Sequence, residues 1–160
     1  MANDARDRDH ADELLEIGGE FGFSRATQHY MAGSGLVEIP QAETAAIDEL
    51  ERATQLYAAG PGPGENYGYG CMALAHVDLA TALLRSGQLD AAVAALEPAL
   101  SVPPDQRIDS IPQRLTRARA ELAQPRYQGS SQASNLDERI EDFARDTIVS
   151  VLHDLPGNSG

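Results

Sequence analysis

Several residue types are scarce in this chain of 160 residues, which has one cysteine, few aromatic side chains, and neither lysine nor tryptophan. The single cysteine, Cys71, excludes an intramolecular disulfide and a cysteine-based metal cluster within one chain. No stretch approaches the roughly 18–20 uninterrupted apolar residues of a membrane-spanning helix. The start of the chain is acidic and lacks the apolar core of a signal peptide. We therefore expect a cytoplasmic protein that does not enter a membrane.

Positive charge is also scarce, because 12 basic residues, all arginine, stand against 25 acidic ones and give a net charge of −13. Nucleic-acid affinity comes largely from basic groups that neutralise phosphates. We expect this chain alone to bind no nucleic acid. Apolar residues make up 42% of the chain, enough for the core of one domain spanning residues 1–160.

Alanine is abundant and strand-favouring residues are few, a composition that predicts an all-α fold. Glycine and proline interrupt the chain at intervals and separate the helical segments. The predicted helices are 9–17, 24–38, 41–59, 67–86, 89–101, 107–124 and 135–154.

The last predicted helix has apolar residues at steps of three and four, which is typical of one buried face. These residues are Leu136, Ile140, Phe143, Val151 and Leu155, with Ile148 and Leu152 alongside. Ser134 and Asp137 form an S-x-x-D pattern that resembles a capping box and predicts the start of the helix.

The region 73–106 has the pattern of a 34-residue repeat built from two antiparallel helices. Small Ala80 and Ala92 allow close helix approach, Gly87 permits the turn, and Leu96 fills the groove between the helices. This unit resembles a tetratricopeptide repeat. A degenerate copy at about 24–59 places His29 at the position that His76 holds, and a third unit with a cap follows at 107–155.

A wider resemblance covers nearly the whole chain. It is carried by GGEFGFSRATQHYMAGSG, by ELERATQLYAAGPGPGENYGYGCMALAHVDLATALLRSGQLDAAVAALEPALSVPPDQR and by RLTRARAELAQPRYQGSSQASNLDERIEDF. These segments resemble the C-terminal sensing region of actinobacterial Xre-type helix-turn-helix transcriptional regulators. The resemblance implies a right-handed superhelix of helical hairpins with a C-terminal capping helix, and a ligand or partner on its concave face. The family's DNA-binding domain is missing here, so we expect either a piece of a longer regulator or a free-standing descendant of the sensing array.

Polar and aromatic residues on the first helix of each repeat are the candidate site. The predicted ligand-binding residues are Arg25, His29, Tyr30, Tyr67, Tyr69 and His76. If the protein is an enzyme, His29, His76 and Glu20 are the candidates for acid–base chemistry. The alternatives are that each histidine is a hydrogen-bonded substitute for a core aromatic residue, and that the tyrosines fasten a loop to the neighbouring repeat. The sequence contains no standard catalytic or phosphate-binding motif, and it predicts neither a metal site nor a cofactor.

Arginines are concentrated between Arg107 and Arg126, and Arg107, Arg114 and Arg117 are predicted to share one helical stripe. A ligand carboxylate or an acidic partner could dock there through bidentate pairing. The alternative is pairing with the protein's own acidic side chains.

Three hypotheses for function follow, each from a different class. The first is a non-catalytic array that binds a small molecule, peptide or protein on its concave surface. The second is a sensing array recruited as a small enzyme of specialised metabolism, with an enclosed pocket of histidine, tyrosine and glutamate. The third is a dimerisation module whose last helix packs on a second copy of the chain.

Overall fold

A computed structural model describes residues 22–65 and 67–153 of the chain. These residues form α-helices and short 3₁₀ turns, and no strand occurs among them. All-α architecture is therefore confirmed for these residues. The helices are α1 (Arg25–Val37), α2 (Glu43–Ala59), α3 (Tyr69–Arg85), α4 (Leu89–Leu100), α5 (Ser110–Leu122) and α6 (Ser131–His153). The predicted helix at 9–17 and the candidate residue Glu20 lie outside the described residues.

The six helices form three successive antiparallel pairs, α1–α2, α3–α4 and α5–α6. In the first pair, the hydroxyls of Thr27 at the start of α1 and Tyr57 at the end of α2 lie 3.2 Å apart. In the third pair, Arg119 near the end of α5 donates to Asp137 near the start of α6. Both contacts join opposite ends of the two helices, as antiparallel packing requires. Helix α3 lies at the centre and packs against α1, α2, α4 and α5. Eleven of its 17 residues are buried, so α3 forms the middle of the core.

The turn between α3 and α4 depends on Gly87, whose φ of +75° lies in the left-handed region that favours glycine. The Gln88 amide donates to the Leu83 carbonyl at 2.9 Å and the Gly87 amide donates to Leu84, which closes the end of α3. The expected tight turn at Gly87 is confirmed.

Small residues bring the paired helices close together. In the second pair, Ala80, Ala92 and Leu96 are fully buried, as the repeat pattern predicts. In the first pair, a Cβ atom added to Gly33 would lie 2.5 Å from Cγ of the fully buried Leu50. Helices α1 and α2 therefore approach each other at a position where a side chain does not fit without rearrangement.

The start of the last helix differs from the prediction. Helix α6 begins at Ser131, and the hydroxyl of Ser130 accepts from the Ala133 amide at 3.2 Å, which is the bond of an N-cap. Asp137, expected in the cap, accepts instead from the Arg119 guanidinium of α5 at 2.7 Å. The predicted start at Ser134 is therefore wrong, because the preceding serine caps the helix and Asp137 pairs with the neighbouring helix.

The buried face of α6 is also shorter than predicted. Leu136, Ile140 and Phe143 are buried, whereas the apolar side chains of the last two turns are more than half exposed. These exposed residues are Ile148, Val149, Val151 and Leu152. Helix α6 has 23 residues and α5 has 13, so the end of α6 extends beyond its partner helix. Leu155 lies outside the described residues.

In the described part of the chain, no helix combines the length and the apolar character needed to cross a membrane.

Candidate functional site

His29 lies one turn into α1, a helix whose start is fixed by Ser24. The Ser24 hydroxyl accepts from the Thr27 amide at 3.2 Å, so α1 begins at Arg25 and presents Arg25 and His29 one turn apart. Nδ1 of His29 lies 2.6 Å from Oε2 of Glu49 on α2. Because a carboxylate accepts, the imidazole donates through Nδ1. The two side chains are 24% and 29% exposed, so the pair lies at the edge of the core, where solvent reaches it.

A depression opens on the surface of α1 and α2 beside this pair. It has a volume of about 420 Å³ and is lined by Arg25, His29, Arg52, Gln55 and Leu56. Arg25 and His29 were expected from the sequence. Their neighbours on α2 were not, because the antiparallel pairing of two helices brings them to the same place from more than twenty residues away.

His76 occupies the corresponding place in the second helix pair. Its Nδ1 donates to the Ala95 carbonyl of α4 at 3.0 Å, and burial lowers its pKa, an effect that this hydrogen bond opposes. The partner of His29 lies twenty residues after it and the partner of His76 nineteen, so each histidine connects the first helix of its pair to the second. Each imidazole bonds to the second helix of its own helix pair. The bond of His76 to a backbone carbonyl fits the interpretation of this histidine as a hydrogen-bonded substitute for a core aromatic residue.

Tyr30 does not line the depression and is buried where α1, α3 and α5 meet, near Arg114, Asp78 and Ser34. Nη1 of Arg114 donates to Oδ2 of Asp78 at 2.5 Å and to the Ser34 hydroxyl at 2.8 Å. Asp78 is 1% exposed, and burial raises its pKa although the Arg114 charge opposes this effect. Burial likewise raises the pKa of Tyr30. Sequence reasoning missed Asp78, yet a signal was present, because it is the single acidic residue of the largely apolar α3.

The two tyrosines before α3 have different surroundings. The ring of Tyr67 packs edge-on against Tyr57 of α2, with the centroids 5.0 Å apart and an interplanar angle of 79°. This contact fastens the loop to the first helix pair, as one of the two interpretations of the tyrosines expects. Tyr69 is 72% exposed, and its side chain extends into solvent.

No protein-family model, curated protein or solved structure matches this chain. The geometry of its own residues therefore carries the functional argument.

The arginines between 107 and 126 all bond to groups of the protein itself. Arg114, Arg117 and Arg119 pair with acidic side chains, and Arg126 donates to the Arg85 carbonyl. Arg107 lies before α5 begins, so it is not on the helical stripe predicted from the sequence. It donates to backbone carbonyls and to Thr147, and its guanidinium lies 3.7 Å from the centre of the Phe143 ring. These contacts fasten the segment between α4 and α5 to α6.

The six predicted ligand-binding residues thus lie in several surroundings. Arg25 and His29 share the depression, and Tyr30 lies with Asp78 and Arg114. Tyr67, Tyr69 and His76 have the separate environments described above. Within the described residues, no three histidine, cysteine or acidic side chains come close enough to hold a metal ion.

Proposed function

We propose that this chain is a sensing domain of tetratricopeptide-like helical hairpins that acts by binding a ligand or partner. The observation that carries this proposal is the depression on α1 and α2, where two arginines, a histidine and a glutamine surround a volume fit for a small molecule. The resemblance to the sensing region of Xre-type regulators supports the same role.

Contacts between the helix pairs support the proposed tetratricopeptide-like stack. Helix α3 packs against both α1 and α5, so the first helices of the three pairs form one layer, and α4 packs against α6. The equivalent bonds of His29 and His76 indicate that the first two pairs share one plan. A right-handed superhelix with the first helices on its concave side is the arrangement we propose.

Binding is better supported than catalysis. A histidine paired with a carboxylate can serve as a general base, and His29 with Glu49 has that composition. Acid–base catalysis by such a pair is favoured in a site that excludes water. Both side chains are about a quarter exposed and lie beside an open depression, whereas binding requires no enclosure. The enzyme hypothesis therefore remains the weaker alternative.

A thermal-shift screen against a metabolite library tests the proposal. A ligand at a hundredfold excess over its Kd stabilises the folded state by about 2.7 kcal/mol, which raises Tm by several degrees in a chain of this size. The shift should be lost in His29→Asn and retained in the matched variant His76→Asn, since only His29 lines the depression on the first pair. A shift lost in His76→Asn alone would place the ligand elsewhere, and chemical conversion of the hit would favour the enzyme hypothesis.

Dimerisation is a second candidate, favoured by the exposed apolar end of α6. Ile148 and Leu152 lie one turn apart on the helix and are more than 60% exposed. Sedimentation velocity should show a dimer that dissociates in Ile148→Asp and Leu152→Asp. The control Ser134→Asp adds the same charge on an exposed part of α6 and should leave the dimer intact. A monomeric wild-type chain at high concentration would exclude this candidate.

A further inference from the structure

We infer that the depression on the first helix pair binds a small anion, a phosphate or dicarboxylate group, through Arg25, Arg52 and His29. This inference rests on the proposed binding function and names the chemical class of its ligand.

The bonding of the arginines is the first observation. Ten of the twelve arginines lie in the described residues, and eight of these donate to a carboxylate, hydroxyl or carbonyl of the protein. The other two, Arg25 and Arg52, have no such acceptor among the described residues, and both line the same depression. Both arginines are exposed, so in a chain with a net charge of −13 they are two neighbouring guanidinium groups that solvent reaches and no described acceptor occupies.

The second helix pair provides an internal comparison. His29 corresponds to His76, and Glu49 corresponds to Ala95, by the hydrogen bonds that the two histidines make. Arg25 and Met72 each lie one helical turn before the histidine of their pair, so they correspond. Arg52 and Pro98 each lie about one turn after the histidine's partner, so they correspond too. Packing of two such helices therefore does not require arginine at either position. The two arginines occur in the first helix pair and not in the second.

The arrangement suits an anion with several acceptor oxygens. A guanidinium group presents a planar fork of donors that matches carboxylate and phosphate oxygens. Glu49, the carboxylate that bonds to His29, accepts from Nδ1 of that histidine and from neither arginine. Because Nδ1 is engaged, Nε2 of His29 is the ring nitrogen left for a ligand: it accepts from a protonated phosphate oxygen when the ring is neutral and donates to an anion when the ring is charged. Gln55 adds amide donors, and Leu56 supplies an apolar wall.

Binding of inorganic phosphate and of succinate, measured by calorimetry at constant ionic strength, tests this inference. We expect at least one of the two anions to bind more tightly than chloride does at the same ionic strength. In Arg25→Gln/Arg52→Gln its affinity should fall at least about tenfold, because bonds to charged groups are lost. Arg117→Gln/Arg145→Gln removes the same charge from arginines outside the depression and should bind like wild type. The more tightly bound anion identifies the ligand group.

A carboxylate could also come from the chain itself, whose first 21 residues are rich in acidic side chains. A variant with Glu13, Glu16 and Glu20 changed to glutamine distinguishes this source. Tighter anion binding in that variant would support the site and identify the chain's own carboxylates as competitors, and unchanged binding would support a free ligand as the occupant.

Two results would overturn the inference. One is that neither anion binds to the wild-type chain or to the variant in which Glu13, Glu16 and Glu20 are glutamine. The other is an equal loss of affinity in the two arginine double variants, which indicates a general charge effect. If the anions fail while a neutral compound gives a thermal shift that depends on His29, the anion inference falls and the proposed binding function stands. If neither anions nor the metabolite library bind, both fall.

Discussion

In each of the first two helix pairs a histidine of the first helix bonds to the second helix, but the surroundings of the two histidines differ. In the second pair, α3 buries eleven of 17 residues and His76 bonds to a backbone carbonyl. In the first pair, α1 buries four of 13 residues and His29 bonds to the side chain of Glu49 beside an open depression. The second pair lies at the centre of the stack, where α3 packs against four other helices.

The difference separates structural positions from positions available for function. Leu50 and Leu96 each follow the residue that bonds to the histidine of their pair, and both are fully buried, because the groove between two helices needs a large apolar side chain in either pair. At the surface the two pairs diverge, with Arg25 and Arg52 in one and Met72 and Pro98 in the other. Binding chemistry can vary there without disturbing the packing beneath.

The largest expected effect comes from the two matched leucines. Leu50→Ala and Leu96→Ala should each lower the free energy of unfolding by about 2–5 kcal/mol, because each leaves a cavity in the groove between paired helices. Urea denaturation measures the loss. Met31→Ala provides the control, since that methionine is 52% exposed and its loss should cost less than about 0.5 kcal/mol. A loss at Leu50 as small as the control's would mean that the first pair is not packed on the plan of the second.

An intermediate effect is expected at the glycines of α1. Gly33→Ala places a Cβ atom 2.5 Å from Leu50 Cγ and 3.2 Å from its backbone nitrogen, so the helices must shift. Overpacking costs about 1–3 kcal/mol, and the gain in helix propensity returns at most about 1 kcal/mol. We expect a net loss of about 1–2 kcal/mol in thermal or urea unfolding.

Gly35 is the matched control in the same helix. A Cβ atom added there meets nothing within 4 Å, so Gly35→Ala should stabilise the protein by up to about 1 kcal/mol. If Gly33→Ala lowers the free energy of unfolding and Gly35→Ala raises it, the close approach of α1 and α2, and not the helix propensity of glycine, determines which residue fits at position 33. Stabilisation by both would contradict the close contact.

Much of the fold could be predicted from the sequence because the relevant signals are local. Gly87 marked a turn, and the alanine and leucine spacing marked the helix faces that pack. The start of α6 was missed because Ser130 and Ser134 are equally good caps by residue type, and the choice depends on Asp137 pairing with Arg119 of another helix. Apolar periodicity likewise indicates a face of α6 but not whether another helix covers it.

Two of the five residues that line the depression could be predicted from the sequence. Arg25 and His29 lie one turn apart on a single helix, so sequence spacing placed them together. Arg52 and Gln55 join them through the register of the α1–α2 pair, which no local pattern fixes. Asp78 was hidden for a different reason: its partner Arg114 lies 36 residues away on α5, and the sequence alone does not show which arginine reaches it.

The smallest expected effect concerns the pH dependence of stability at His76. Burial lowers the pKa of this imidazole in the folded protein below its ordinary value of 6.5. Between the folded and the ordinary pKa the unfolded chain binds more protons than the folded one, so this group makes stability fall as pH drops from about 6.5. One such proton changes stability by at most about 1.4 kcal/mol per pH unit.

His76→Asn removes the titrating group while keeping a side-chain donor near the Ala95 carbonyl. Its stability should therefore fall less steeply than that of wild type when urea unfolding is followed from pH 7.5 to pH 5. The carboxylates of the chain titrate in both proteins and cancel in the difference between the two profiles. An NMR titration of the wild-type imidazole should independently give a midpoint below 6.5. Parallel stability profiles, together with a midpoint at or above that value, would show that burial does not shield His76 from water.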